Sequence, residues 1–391
     1  MVVYADAANP EILRWARQRA HMSMEEAAAK VSKSPELIGE WESAEGRSPA
    51  WGQLETLAGL YRLPLAVFFF PEPPEEALPK PDFRTLPDTD MALLSADVMF
   101  AVRESMAMQE SLRELTGNRN PADEMITAKV RPRSGEGIPA FCERIRRFLG
   151  VSIETQTGWR DHDRAFREWR TVLQQHGIFV FKRPFLDDAV SGYCLPDDTF
   201  PVIVVSTKTP PTRQTFTLFH EMAHLLLGVS GATPRGEEYV NRLPAPVRNI
   251  EVRCNRIAAE LLMPASEFDR TLTRFGADLD AATRELSRHF SVSREAVYRR
   301  LLDKGLVTRD DYEERAKQWA REAERKQQEK RGKGGPGYYR KTVSQLGEAY
   351  LGVAFQAYHE RRCTLPELAG HLRMKASNVQ NLENRLAAGK V

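Results

Sequence analysis

Residues 215–228, TFTLFHEMAHLLLG, constrain the chain more than any other stretch. Phe216, Leu218, Phe219, Met222, Ala223, Leu225 and Leu226 describe a helix made for a core, yet His220, Glu221 and His224 interrupt it. Side chains four positions apart on a helix stand one turn apart on the same face, so His220 and His224 can direct two imidazoles at one ion. Glu221 points beside that place and can take a proton from an attacking water. Two imidazoles and a glutamate left without partners in an apolar helix would carry a desolvation cost. Zinc removes it, because it suits two histidines, a carboxylate and one open position.

A third ligand has to come from elsewhere, since the residues after His224 are LLLGVSG and hold no further histidine. The segment NIEVRCNRIAAELLMPASEF offers Glu251, about 27 positions after His224, and Glu260. The preceding stretch offers Glu237 and Glu238. Cys254 is a softer alternative, although a lone cysteine in such a run is more often a small buried apolar residue.

The whole chain bounds the setting of this motif. At 391 residues it is too long for one core and should divide into two to four folded units. A formal net charge of +2 sets up no overall field toward nucleic acid or membrane, so any basic surface must be local. Cys142, Cys194, Cys254 and Cys363 are scattered singly, the usage of a reducing compartment. No apolar run of membrane-spanning length occurs and the first residues contain no apolar signal segment, so the expectation is a soluble cytoplasmic protein without a membrane partner.

Residues 9–63 predict a bundle of short helices. Ile12, Leu13 and Ala16 mark one apolar face, Met24, Ala27, Ala28 and Val31 a second, Leu37, Ile38 and Trp41 a third, and Leu54, Leu57, Ala58 and Leu60 a fourth. Ser23 with Glu26 predicts a capping box, and Ser34 with Pro35 an N-cap and first helical residue. Two short helices joined by the tight SKS turn make a helix-turn-helix. Over residues 9–71, including LPLAVFFFPEP, the chain resembles the XRE-type (lambda-repressor-like) DNA-binding domain. That resemblance implies that the helix from about Pro35 to Ser43 enters the major groove of DNA. The helix offers Glu36, Glu40 and Glu42, while Lys33, Ser34 and Arg47 only flank it, so phosphate attraction by this unit alone is weak. Its other use would be as a protein–protein or homodimerisation module.

Residues 71–90 hold too many prolines for a helix and are expected to be an extended linker. Leu94, Val98, Ala101, Val102, Met108, Leu112 and Leu115 then follow a helical period, a core stripe with no chemistry assigned. Two amphipathic helices follow, with Phe141, Ile145 and Leu149 on one and Phe166, Trp169 and Leu173 on the other. Three strand-like runs come next, GIFVFKRP, AVSGYCL and FPVIVVST, directly before the histidine helix. The series FTLFHEMAHLLLG, IEVRCNRIAAELLMP and LSRHFSVSREAVYRRLLDKGL is similar to the ImmA/IrrE family of zinc metallopeptidases over about residues 136–308. The resemblance implies that His220, His224 and Glu251 hold zinc, that Glu221 is the general base, and that Asn255 supports the ligands from behind. It also implies peptide hydrolysis, with helix-turn-helix repressors as the substrate class.

The tail repeats the head. Met24, Ala27, Ala28, Val31, Ile38, Trp41 and Glu42 match Leu365, Leu368, Ala369, Leu372, Val379, Leu382 and Glu383 at one constant offset, which predicts another helix-turn-helix near Pro366–Leu372 and Ala376–Leu386. Leu286, Phe290, Ser293 and Val297 form a looser copy. Between them, RKQQEKRGKGGPGYYRK carries the strongest local positive charge. Its Arg331, Lys333, Arg340 and Lys341, beside two tyrosines, are nucleic-acid contact candidates.

The expected fold is therefore α+β and mostly α. Residues 1–70 form a helix-turn-helix bundle, 71–135 a proline-rich linker and long helix, 136–310 a zincin-like peptidase domain with a small sheet, and 311–391 a basic helix, glycine-rich hinge and helix-turn-helix-like unit. The expected function is a zinc endopeptidase and DNA-binding regulator. Its partners would be DNA and a repressor-type protein substrate. The alternative is a DNA-binding regulator or antitoxin that holds a cognate toxin with little turnover.

Overall fold

The computed structural model describes residues 3–74, 96–185, 190–229, 232–234, 243–331 and 337–389. Most of the expected linker, the glycine-rich hinge, Lys333, Glu237 and Glu238 lie outside the described residues. No helix among the described residues is long and apolar enough to cross a membrane. The chain divides into two compact units, with the boundary falling between Arg103 and Glu104 of the helix Ala96–Thr116.

In the first unit, α1 (Pro10–Arg19), α2 (Met24–Val31), α3 (Pro35–Trp41) and α4 (Trp51–Tyr61) are followed by a 3-10 turn, Leu65–Phe69. Each start is set locally. The Asn9 side chain caps α1, Ser23 and Glu26 exchange both bonds of a capping box on α2, and Ser34 caps α3 ahead of Pro35. Ile12, Leu13, Ala16, Ala27, Ala28, Ile38, Trp41, Leu54 and Leu57 are buried in one core with Phe68. Met24, expected on the apolar face, opens α2 and is exposed, because the first turn of that helix projects past the core. Glu42 also departs from expectation. It is not offered to a ligand: Arg17 Nε reaches its Oε1 at 2.7 Å and Arg17 Nη2 its Oε2 at 2.8 Å, both side chains buried.

The second unit is built around a sheet of order β1-β3-β2-β4. The three expected runs are β1 (Phe179–Arg183), β2 (Val190–Leu195) and β3 (Val202–Ser206); β4 (Ala232–Pro234) is an addition. β1 runs parallel to β3 from Phe179 opposite Val202, and β2 is antiparallel to β3 with Gly192 opposite Val205. Every residue of β2 and β3 is buried, which is why Val202–Val205 of β3 reads as an unbroken apolar run and not as an alternating one.

Against this sheet packs the histidine helix, Pro211–Leu227, and against that helix the helices His162–Gln175 and Ala245–Leu262. Trp169 meets Phe219 edge-on, ring centres 4.7 Å apart. The histidine helix approaches β2 closely because Gly192 has no side chain: a Cβ there would lie 2.4 Å from Thr217 Cγ2 and 2.6 Å from the Val204 carbonyl oxygen. Gly228 ends the helix in the left-handed conformation, and Arg131 donates to the Leu225 and Leu226 carbonyls.

The C-terminal helices belong to the same unit, so the expected boundary at 310 falls inside it. Arg170 fastens them. Its Nε donates to the Val180 carbonyl of β1 at 2.9 Å and its Nη1 to the Ser344 carbonyl at 2.8 Å, at the end of the helix Tyr338–Leu346. Gly347 leaves room for that guanidinium, since a Cβ there would meet Arg170 Nη2 at 2.4 Å. The expected tail pair is present as Leu365–His371 and Ala376–Ala387.

Candidate metal centre

Two helices build the site. The histidine helix carries His220 and His224 one turn apart, and the helix Ala245–Leu262 lies across it and brings Glu251 to both. The atoms converge: Nε2 of His224 is 2.9 Å from Nε2 of His220, and the Glu251 oxygens lie 3.1 Å from His220 Nε2 and 3.3 Å from His224 Nε2. Among the described residues these three form a group able to hold a metal ion. Ligands about 2.0–2.2 Å from a tetrahedral centre are separated by about 3.3–3.6 Å along its edges, and the observed 2.9–3.3 Å lies a few tenths of an ångström inside that spacing.

The environment makes the same case. His220, Glu221 and His224 are 0% exposed and Glu251 is 1% exposed. Neither Glu251 oxygen, nor Nδ1 of His224, has a hydrogen-bond partner of acceptable geometry. A buried carboxylate facing two imidazole nitrogens without a donor is costly as it stands, and a divalent cation at the shared point answers all three ligands at once. Asn255, one turn beyond Glu251, places its Oδ1 2.9 Å from His220 Nδ1. With Nδ1 as the donor, Nε2 of His220 is left as a lone pair aimed at the site.

The competing ligands are accounted for. Glu260 accepts from the Ala265 backbone at 2.9 Å and from Arg300 at 2.6 Å, so it caps the next helix and neutralises a cation. Cys254 is buried in the core, its sulfur outside the converging group, and burial together with the charges of Glu251 and Glu221 pushes its thiol up.

The nucleic-acid candidates form no comparable cluster. Lys33 is exposed in the turn before α3, the Ser34 hydroxyl is engaged as the cap of that helix, and Arg47 lies 3.6 Å from Glu40 on the surface. Arg340 and Lys341 are exposed on the helix Tyr338–Leu346, and Arg331 ends the helix Arg309–Arg331. Sequence reasoning missed the support at Gly192 and Arg131. The one available signal was a glycine inside an otherwise β-branched and aromatic run.

The three converging ligands describe a candidate metal centre, and comparison with known proteins places it within a family match. Residues 173–302 match the model of the Peptidase_M78 family, the IrrE N-terminal-like domain. Over 94 residues the chain is 44% identical to the radiation response metalloprotease IrrE of Deinococcus deserti, a match covering 24% of this chain and 32% of that protein. The chain therefore spans about a third of that relative's length. A Mycobacterium tuberculosis transcriptional regulator aligns over 42% of this chain and 46% of its own, 22% identical with a TM-score of 0.30, too loose a likeness to argue from. Residues 173–302 are thus similar to the IrrE N-terminal-like domain.

Proposed function

We propose that this chain is a zinc-dependent endopeptidase working in a regulatory circuit, with a helix-turn-helix repressor as its protein substrate. The observation that carries the reading is the Glu251 carboxylate, buried without a hydrogen-bond donor against Nε2 of two histidines. His220, His224 and Glu251 are the ligands. When bound, zinc would supply Lewis acidity and bring the pKa of water toward neutrality. Glu221, on the next position of the same helix, takes the proton of the attacking water and returns it to the departing amine as the C–N bond breaks. DNA contact by a flanking helical unit completes the regulatory reading.

The complete burial of all four side chains favours a second reading, a regulator or antitoxin whose domain holds a toxin without turnover. One experiment separates the two: the wild-type chain and Glu221→Gln, each assayed for zinc and incubated with the repressor or toxin encoded beside it. Glu221→Gln should keep its zinc and lose about 10²- to 10⁴-fold in cleavage rate. Loss of zinc from that variant would refute the base assignment. A stable complex with zinc present and no cleavage by wild type would establish the second reading instead.

A further inference from the structure

Three helix pairs of the chain share one turn. Ser32, Ser291 and Arg373 each adopt the left-handed conformation, with φ of 54°, 55° and 54°. In each case the next N–H returns to the carbonyl five residues back: Lys33 to Ala28 at 2.9 Å, Val292 to Ser287 at 3.0 Å and Met374 to Ala369 at 3.0 Å. A common backbone leaves the surface of the second helix to decide what each pair can touch.

The three surfaces differ. In the middle pair the second helix, Arg294–Asp303, is covered: Tyr298 stacks edge-on against Trp319, Arg294 pairs with Glu322, and Arg300 is spent on Glu260. In the head, α3 shows Glu36 and Glu40 to solvent, the wrong sign for a phosphate backbone. In the tail, Ala376–Ala387 exposes Ser377, Gln380, Asn381 and Asn384, which at spacings of three, four and seven fall on one face. Its single acid, Glu383, is engaged by His359, the last residue of the helix Glu348–His359, and accepts from Gln380 Nε2 at 3.1 Å, an intrahelical bond that a base edge would have to replace.

Cations frame that polar face. Lys375 is exposed at the entrance of the helix and Arg385 near its end, where it lies over the Tyr339 ring at 4.8 Å. Tyr339 belongs to the helix that exposes Arg340 and Lys341. None of Lys375, Arg340 or Lys341 has an acidic partner among the described residues.

We propose that the C-terminal helix pair, and not the N-terminal one, reads duplex DNA, with Gln380 and Asn381 on base edges and Lys375, Arg340 and Lys341 on phosphates. Amide side chains match the paired donor and acceptor of adenine in the major groove, and in a helix-turn-helix the N-terminal half of the second helix meets the bases. The cations supply the attraction that α3 does not. The assignment is independent of proteolysis, so Glu221→Gln should bind DNA as wild type does.

The test uses the full-length Glu221→Gln chain to enrich sequences from a random duplex pool, followed by titration of the enriched and scrambled duplexes. Gln380→Ala with Asn381→Ala should reduce preference for the enriched duplex by about 10- to 100-fold while leaving scrambled duplex binding nearly unchanged. Arg340→Ala with Lys341→Ala should weaken both duplexes alike and flatten the dependence on salt. All four side chains are exposed, and thermal melts of each variant should match the parent. Failure to enrich any sequence, or an unchanged preference in the Gln380/Asn381 variant, would overturn the proposal. So would loss of preference in Lys33→Ala with Arg47→Ala, or capture of polyglutamate in place of duplex DNA.

Discussion

Two groups of buried ionisable side chains invite comparison, the Arg17–Glu42 pair and the cluster of His220, His224 and Glu251. In the first, both carboxylate oxygens meet guanidinium N–H groups at 2.7 and 2.8 Å, and the charges cancel inside the protein. In the second, both carboxylate oxygens face imidazole nitrogens and accept no hydrogen bond of acceptable geometry. A closed account of donors and acceptors marks a structural pair. An open one, at ligand spacing, marks a place for something the chain does not itself provide.

The contrast can be broken most forcefully at the closed pair. Arg17→Met alone should cost about 3–5 kcal/mol in denaturant unfolding, because Glu42 is left buried and charged, whereas Arg17→Met with Glu42→Leu should recover most of that loss. A double variant no more stable than the single one would show that the pair is not the closed system described. At the open site the balance must run through metal. Zinc at a hundred times its Kd should stabilise the wild-type chain by about 2.7 kcal/mol, an increment absent from His220→Ala and Glu251→Gln. Calorimetric melts with and without chelator measure it, and an equal zinc response in Glu251→Gln would remove Glu251 from the ligand set. The smallest effect concerns the support of one ligand. Asn255→Ala should weaken zinc binding about 10- to 100-fold, and Asn255→Asp, which keeps the acceptor oxygen, should restore it. Competition titration against a chromophoric chelator reads both.

Much of this was legible because the signals were local. The Ser23–Glu26 box, the Ser34–Pro35 start and the β-branched and aromatic runs of β1 to β3 each lie within a few residues and carry their own physics. His220 and His224 announce themselves for the same reason, as polar groups on a helix that needs none. The rest depended on residues far apart. Glu42 reads as part of an acidic surface until Arg17, 25 positions earlier, is found beside it. Glu260 competes with Glu251 until Arg300 claims it, 40 positions later. β4 is three residues long and ends in proline, too short to carry a periodic pattern.

Arg170 bears on where this protein can be divided. The family match ends at residue 302, yet a guanidinium buried against the sheet takes one of its carbonyl partners from Ser344. A chain cut after the matched region would leave that cation facing a gap, with only the Val180 carbonyl still holding it. The module that similarity outlines and the body that folds are therefore different objects. The C-terminal helices are part of the masonry of the peptidase-like domain, and a chain cut after residue 302 should be judged as a damaged protein before it is judged as an inactive one.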